Sequence, residues 1–338
     1  MLEAARALAV TMGEPSGIGP EITLMAWAER FKRALPPFYV IADPDLLEAR
    51  AQQIGLKVNL QVCDPSEARG IFDDALPVVP LPQAVNAQAG APTPDTAEMV
   101  LASIRTAVEH VRDGLACAVA TNPIAKETLY QAGFKHAGHT EYLGELSGLF
   151  GEEPAQPVML LAGPDLMTVP VTLHIPLHKI WEELTPELLM STARIVDADL
   201  KKRFRVERPR IAVAGLNPHA GENGTMGREE VEMIGPTLDR LRAEGLDVRG
   251  PLPGDTLFHE AARETYDVVL AMYHDQALIP VKTLAFDDTV NVTLGLPFVR
   301  TSPDHGTAFS LAGKGTASPD SLSAAMRLAV ALSEPELV

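Results

Sequence analysis

Cysteine is nearly absent: Cys63 and Cys117 are the only two in 338 residues. Two are too few for a disulfide framework, and neither belongs to the Cys-x-x-Cys spacing of a zinc or redox site, so both are expected to be buried, inert thiols. Basic residues are scarce as well, 28 Lys and Arg against 45 Asp and Glu, for a formal charge of −17. Such a surface repels nucleic acid and anionic membranes, so an anionic ligand must be met by a few local cations. The start shows no basic region followed by an unbroken apolar stretch and a small-residue cleavage site. No secretory signal is expected, and the chain reads as cytoplasmic. No long hydrophobic run occurs either: the most apolar stretch, 157–177, is interrupted by Asp165 and four prolines. It reads as a pair of strands rather than a membrane span.

What is present is the alternation of an α/β protein. With 46% apolar residues and a length that suggests about two domains, a sizeable core is expected. Short β-branched runs at 7–13, 38–44, 116–123, 166–174, 210–218, 267–274 and 289–295 read as mostly parallel strands. Between them, 95–114 places Met99, Val100, Ile104, Val108 and Val111 on one helical face and stops at Gly114. Residues 185–204 open with Thr185 as an N-cap and Pro186 in the first turn, and 320–334 form a further helix. No repeat or low-complexity block is visible. The Pro- and Gly-rich stretches 80–96 and 216–227 read as loops around a scaffold.

Nine histidines occur, and for His110, His136, His178 and His259 a surface or satisfied core role suffices. His174, His219 and His274 share a different context, each at or just past the end of a predicted strand. Ligands of open α/β sheets bind outside the carboxyl ends of strands, so these three rings can converge on a divalent metal. Spacing alone does not decide between that and coincidence. His174 and His178 are four apart but separated by Pro176, which argues against a helical metal pair. Asp255 and Asp275 are candidates to orient a ligating ring or accept a proton from a metal-bound hydroxyl. For Asp255 a turn-capping role is an equal alternative.

Lys282 and Arg300 come soon after strand ends in an acidic chain. With Asn291 they can hold a carboxylate or phosphate, arginine through its bidentate fork. His139 and Thr140 stand ahead of an expected helix at 141–150, where an anion would also meet a helix N-terminus. The strand-to-helix loop 11–22, "TMGEPSGIGPEI", is no dinucleotide fingerprint, because Gly13, Gly17 and Gly19 do not form GxGxxG. "AGKG" at 312–315 lacks the earlier glycine of a Walker A loop.

The segments "TMGEPSGIGPE", "AGHTEYL", "GLNPHAGENGTMG", "PLPGDTLF", "AMYHDQALIPVK" and "NVTLGLPFVRTSPDHGTAFSLAGKG", in this order and over nearly the whole chain, closely resemble the 4-hydroxythreonine-4-phosphate dehydrogenase family of pyridoxal phosphate biosynthesis. The resemblance implies two α/β/α domains around a cleft, like isocitrate and isopropylmalate dehydrogenases. The division is expected at about 1–130 plus 300–338 for the cofactor side and 131–299 for the metal and dimer side. It puts the metal on His174, His219 and His274, and substrate on His139, Thr140, Lys282, Asn291 and Arg300. Asp255 and Asp275 become active-site aspartates. The stretch 304–319 is similar to the one with which isopropylmalate dehydrogenases hold the adenosine half of NAD, which places cofactor contacts on His305, Gly306, Thr307, Ala308 and Gly313. A homodimer sharing its metal site between subunits is implied, with zinc, magnesium or cobalt as the ion and NAD, or alternatively NADP, as the oxidant. Ala125 departs from some members, which carry histidine there, so the resemblance assigns this position no role.

The reaction implied is oxidation of 4-hydroxythreonine 4-phosphate followed by decarboxylation to 3-amino-2-oxopropyl phosphate. The rival readings are a related dehydrogenase of threonate or erythronate 4-phosphate or of cyclic dihydrodiols, a phosphotransacetylase-like enzyme without redox chemistry, and a metal hydrolase.

Overall fold

The apolar runs LAVT at 8–11 and FYVIA at 38–42 are buried along their whole length, as parallel strands covered on both faces are. The computed structural model describes residues 6–136, 138–151 and 153–333. Twelve strands occur among them: β1 (Leu8–Thr11), β2 (Phe38–Ala42), β3 (Leu60–Val62), β4 (Leu76–Pro80), β5 (Val119–Ala120), β6 (Val158–Ala162), β7 (Met167–Pro170), β8 (Arg210–Ala214), β9 (Asp247–Leu252), β10 (Val268–Ala271), β11 (Val290–Leu294) and β12 (Arg300–Pro303). The chain divides into two compact units. One takes the residues up to Pro157 and those from Leu296 on, the other Val158–Gly295.

In the first unit the strands run in the order β3, β4, β2, β1, β5, β12, and every pairing is parallel. Leu8, Val10, Phe38, Tyr39, Val40 and Ile41 form its centre. Helix Ala97–Arg112 covers it with Met99, Val100, Ile104 and Val108 buried as the spacing predicts, while Val111 is half-buried. His110 on the same helix is a satisfied core residue. Its Nδ1 lies 2.8 Å from the Tyr39 hydroxyl, and burial pushes its pKa below the usual histidine value. Cys63 and Cys117 are free, with burial the chief cause of their raised pKa values, although Cys117 is half-buried rather than buried.

The second unit holds a mixed sheet in the order β11, β6, β7, β10, β8, β9. β7, β10, β8 and β9 are parallel; β6 runs antiparallel to both its neighbours. The strand pair expected within 157–177 is therefore present as β6 and β7. Helix Pro186–Lys202 begins as its sequence predicts, with the Thr185 hydroxyl accepting from the Leu188 amide at 3.2 Å and Pro186 in the first turn. The helix expected at 320–334 is observed over Asp320–Ser333, its last residue, Glu334, lying outside the described residues. The same holds for residues 1–5 of the expected leaderless start.

The unit boundaries differ from the division expected after residues 130 and 299. Residues 131–157 stay with the first unit because the turn Gly148–Phe150 packs on helix Ala97–Arg112. Phe150 also stacks on Phe298 at 5.4 Å between ring centroids, which keeps 296–299 there as well. Among the described residues, no helix is long and apolar enough to cross a membrane.

Candidate active site

In the first unit, His139 and Thr140 open helix His139–Ser147 rather than preceding it. The orphan amides of that first turn favour an anion. Two cations accompany them. Arg300, the first residue of β12, is almost fully buried, with Nε and Nη2 donating to Thr121 Oγ1 at 3.1 and 2.6 Å, and burial lowers its pKa to about 10. It keeps its proton at neutral pH. Lys126, which the sequence reading did not single out, begins helix Lys126–Gln131 and brings its Nζ against Gly138. A Cβ on Gly138 would lie 2.9 Å from the lysine Cε.

His139 answers to both. Burial first, then the charges of Arg300 and Lys126, hold its pKa well below the usual value of 6.5, and its buried Nε2 has no hydrogen-bond partner. The ring is neutral and one ring position awaits a partner. When a histidine's folded pKa lies below its unfolded one, the unfolded chain binds the extra proton in between. Stability is then complete above about pH 6.5 and falls as the pH drops toward the folded value. The melting temperature is accordingly expected to fall more from about pH 7 to about pH 5 in the wild type than in His139→Gln, which has no imidazole to titrate. Parallel curves would contradict this assignment.

The expected cofactor residues lie in the same unit. His305, Gly306, Thr307 and Ala308 follow β12 in a loop that touches the strand-to-helix loop after β1: the Ile18 amide donates to Thr307 O at 3.0 Å. A Cβ on Gly17 would come 2.8 Å from that oxygen, so only glycine allows the approach. Ala308 has φ 44°, and the His305 Nε2 is buried without a partner. The Gly313 amide is engaged by Glu21 Oε2 at 2.6 Å. Glu21 is in turn 3.7 Å from Arg50, whose guanidinium donates to Gly17 O and Pro15 O at 2.8 and 2.9 Å. Both side chains are buried, so a charged clip ties the two loops together. Breaking one partner of such a pair costs far more than the pair itself contributes.

In the second unit, His274 opens helix His274–Leu284 directly after β10. Its Nδ1 is 2.7 Å from Asp275 Oδ1, and its ring lies 5.4 Å from that of His174, centroid to centroid. A His274 ring that donates its Nδ1–H to this carboxylate keeps its lone pair on Nε2, the tautomer in which metal-binding histidines are held. Two adjacent imidazoles, one of them backed by a carboxylate, suit zinc or cobalt better than magnesium. The residues present therefore fit a divalent metal. Among the described residues, however, no group of three or more His, Cys, Asp and Glu side chains is gathered closely enough to hold one.

The third histidine, His219, sits in an unusual turn. His219, Ala220, Gly221, Glu222 and Asn223 all have left-handed backbone, φ 41° to 75°. Each of the four that are not glycine costs roughly 1–2 kcal/mol in that region. His219 lines a cavity of about 550 Å³ with Asp255, Phe258, Asp275 and Gln276. Gln276, which the sequence reading did not single out, joins the ends of β10 and β8 by accepting from Met272 N and donating to Gly215 O. A second depression, about 450 Å³, is lined by His274, Asp275, Lys282 and Phe286. Asp275 and Ile279 belong to both. On β11, Asn291 Oδ1 is buried without a hydrogen-bond partner. His178 lies in a separate short turn, Leu177–Lys179, as Pro176 predicts.

The structure thus brings His139 and Arg300 together, His174 together with His274 and Asp275, and His219 together with Asp255 and Asp275. Lys126, Gln276 and the acceptor Thr121 are additions. Lys126 shows in the sequence as a lysine soon after a strand run in an acidic chain, Thr121 lies within that run, and Gln276 follows the His274–Asp275 pair directly.

Comparison with known proteins adds to this geometry. The family described as "Pyridoxal phosphate biosynthetic protein PdxA" matches residues 34–329. A 4-hydroxythreonine-4-phosphate dehydrogenase of Methylorubrum populi is 58% identical over 331 residues, covering 97% of this chain and 95% of its own. The corresponding protein of Bradyrhizobium diazoefficiens is 54% identical over 334 residues, with 96% of each covered. Among solved structures, that of the Klebsiella pneumoniae 4-hydroxythreonine-4-phosphate dehydrogenase superposes with a TM-score of 0.86 at 36% identity, covering 98% of this chain and 100% of that one.

Proposed function

The chain belongs to the pyridoxal phosphate biosynthetic PdxA family, and from that premise we propose that it oxidises 4-hydroxythreonine 4-phosphate with a nicotinamide cofactor and a divalent metal. The immediate product is 2-amino-3-oxo-4-phosphooxybutanoate, which loses carbon dioxide to give 3-amino-2-oxopropyl phosphate. The observation that carries the reading within this structure is the His174–His274 pair with Asp275 on the far nitrogen of His274.

The residues divide the work. His174, His219 and His274 hold the metal. A bound divalent cation supplies Lewis acidity, acidifying a hydroxyl ligand and polarising a carbonyl. Asp275 keeps the His274 ring oriented with its proton on Nδ1. Asp255, in the short turn Gly254–Thr256 on the rim of the His219 cavity, is the group left to take the hydroxyl proton. Phosphate falls to Arg300 and Lys126 with the amides at the start of helix His139–Ser147, and His139 and Thr140 stand at that same helix start. Lys282 and Asn291 complete the substrate set. A nicotinamide cofactor would supply the hydride acceptor, and His305, Gly306, Thr307, Ala308 and Gly313 would hold its adenosine half, with NAD as the expected form and NADP the alternative.

A homodimer that completes the metal site belongs to the same reading. Ile279 on the helix of His274 and Phe286 just beyond that helix are 63% and 67% exposed beside the two depressions, which favours an apolar cover by a second copy.

The test is the appearance of NADH when protein, NAD⁺, zinc or cobalt and 4-hydroxythreonine 4-phosphate are mixed. Reduction with threonate 4-phosphate and none with this substrate would move the assignment to the related dehydrogenases. No reduction with any alcohol would discard the redox reading.

A further inference from the structure

Glu230 is a buried acidic residue that no part of the proposed chemistry uses. It lies eleven residues after His219 in the sequence, is 3% exposed, and opens a π-helical turn, Glu230–Ile234. Its carboxylate faces back under the left-handed turn. Oε1 accepts the Asn217 backbone amide at 2.7 Å, and Oε2 accepts Asn217 Nδ2 at 2.9 Å. Glu229 Oε2 accepts from the same Nδ2 at 2.6 Å, so the Asn217 side chain is held from two directions.

The glycines around it are cut to fit. A Cβ on Gly221 would lie 2.5 Å from Glu230 Oε2, and one on Gly215 would lie 2.8 Å from the Cα of Ala220 and 3.2 Å from Glu230 Oε1. The carboxylate therefore fills the space beneath residues 219–221 and fixes the residue two before His219. Four non-glycine residues within one five-residue left-handed run do not persist unless the surroundings over-determine them, and such places gather at functional sites. π-helical turns gather there too. Both irregularities meet at Glu230.

We propose that Glu230 is a positioning residue for the metal site: by clamping Asn217 beneath the left-handed turn 219–223, it aims the His219 imidazole at the cation. The inference rests on the reading of His219 as a metal ligand. It assigns Glu230 no contact with metal or substrate.

The experiment titrates Co²⁺ into metal-stripped full-length protein, following the dissociation constant and the visible spectrum, which responds to coordination geometry. Glu230→Gln is expected to weaken binding about 10- to 100-fold, as loss of a residue that orients a ligand does, and to alter the cobalt spectrum. Gly221→Ala, which intrudes on the clamp from the opposite side, is expected to do the same and serves if Glu230→Gln folds poorly. The double variant His219→Ala with Glu230→Gln should bind no more weakly than His219→Ala alone, because the clamp acts only through that ring.

Unchanged affinity and spectrum in folded Glu230→Gln and Gly221→Ala, with loss in His219→Ala, would overturn this inference alone. A melting temperature lowered without a change in cobalt binding would overturn it in the same way, reducing Glu230 to a structural role. Wild-type binding in His219→Ala would overturn the ligand assignment, and this inference with it.

Discussion

His274→Ala should yield a folded protein that has lost its metal and about a thousandfold or more in kcat/KM. The fold is expected to survive because His274 is half-buried at the head of its helix, whose packing rests on Ala277, Leu278 and Val281. The chemistry is expected to fail because the ring is a prepared metal donor in the proposed site, with Asp275 at 2.7 Å on one nitrogen and the His174 ring 5.4 Å away. A cation contributes several kcal/mol of charge stabilisation to a developing alkoxide, and about 4 kcal/mol is about a thousandfold in rate. Asp275 cannot compensate, since without the imidazole its carboxylate has nothing to orient. Metal analysis of the purified variant decides the matter, together with its melting curve. Full occupancy at unchanged stability would remove His274 from the ligand set.

Much of the proposed site was legible in the chain because its residues lie at or near ordinary strand ends. β10 is a continuous apolar run, so the position of His274 just past its end follows from counting residues. His174 is less regular: β7 closes at Pro170, and the Val171 and Thr172 amides still reach Ala271 and Met272 before the histidine is met. β12 was not legible. Its sequence, Arg-Thr-Ser-Pro, is polar, yet all four residues are buried. Propensity assigns such a stretch to a loop, and what overrides it is parallel pairing with β5 together with a guanidinium kept inside the protein. The 219–223 turn was hidden for a related reason. Gly and Asn in "PHAGENG" signal a bend, but a left-handed path through His219, Ala220 and Glu222 is imposed by contacts distant in sequence. Glu230 shows the limit most clearly, since in "GREEVEM" it reads as one more solvated carboxylate on a helix, and only the fold turns it inward.

Arg300→Met is expected to leave the metal in place and to raise KM for the phosphorylated substrate about a hundredfold, with a smaller loss in kcat. The side chain is 2% exposed, and burial has already lowered its pKa to about 10, so the folded protein meets the cost of holding this charge before any ligand arrives. An anion that comes to it finds a desolvated guanidinium anchored on Thr121 Oγ1, and charge-assisted hydrogen bonds of this kind are the strong ones. Removing one partner of a buried charged pair costs 2 to 5 kcal/mol in round numbers, and about 3 kcal/mol corresponds to about a hundredfold in affinity. Arg300→Lys should recover only part, because an ammonium keeps the charge but not the planar fork. The variant has a second signature that a defect in folding would not give. Arg300 is one of the charges depressing His139, after burial, so its removal lets the His139 pKa rise toward the usual value. The window in which stability falls with acid then narrows, and the difference in melting temperature between about pH 7 and about pH 5 shrinks toward that of His139→Gln. Unchanged KM in a stable Arg300→Met protein would place the phosphate elsewhere.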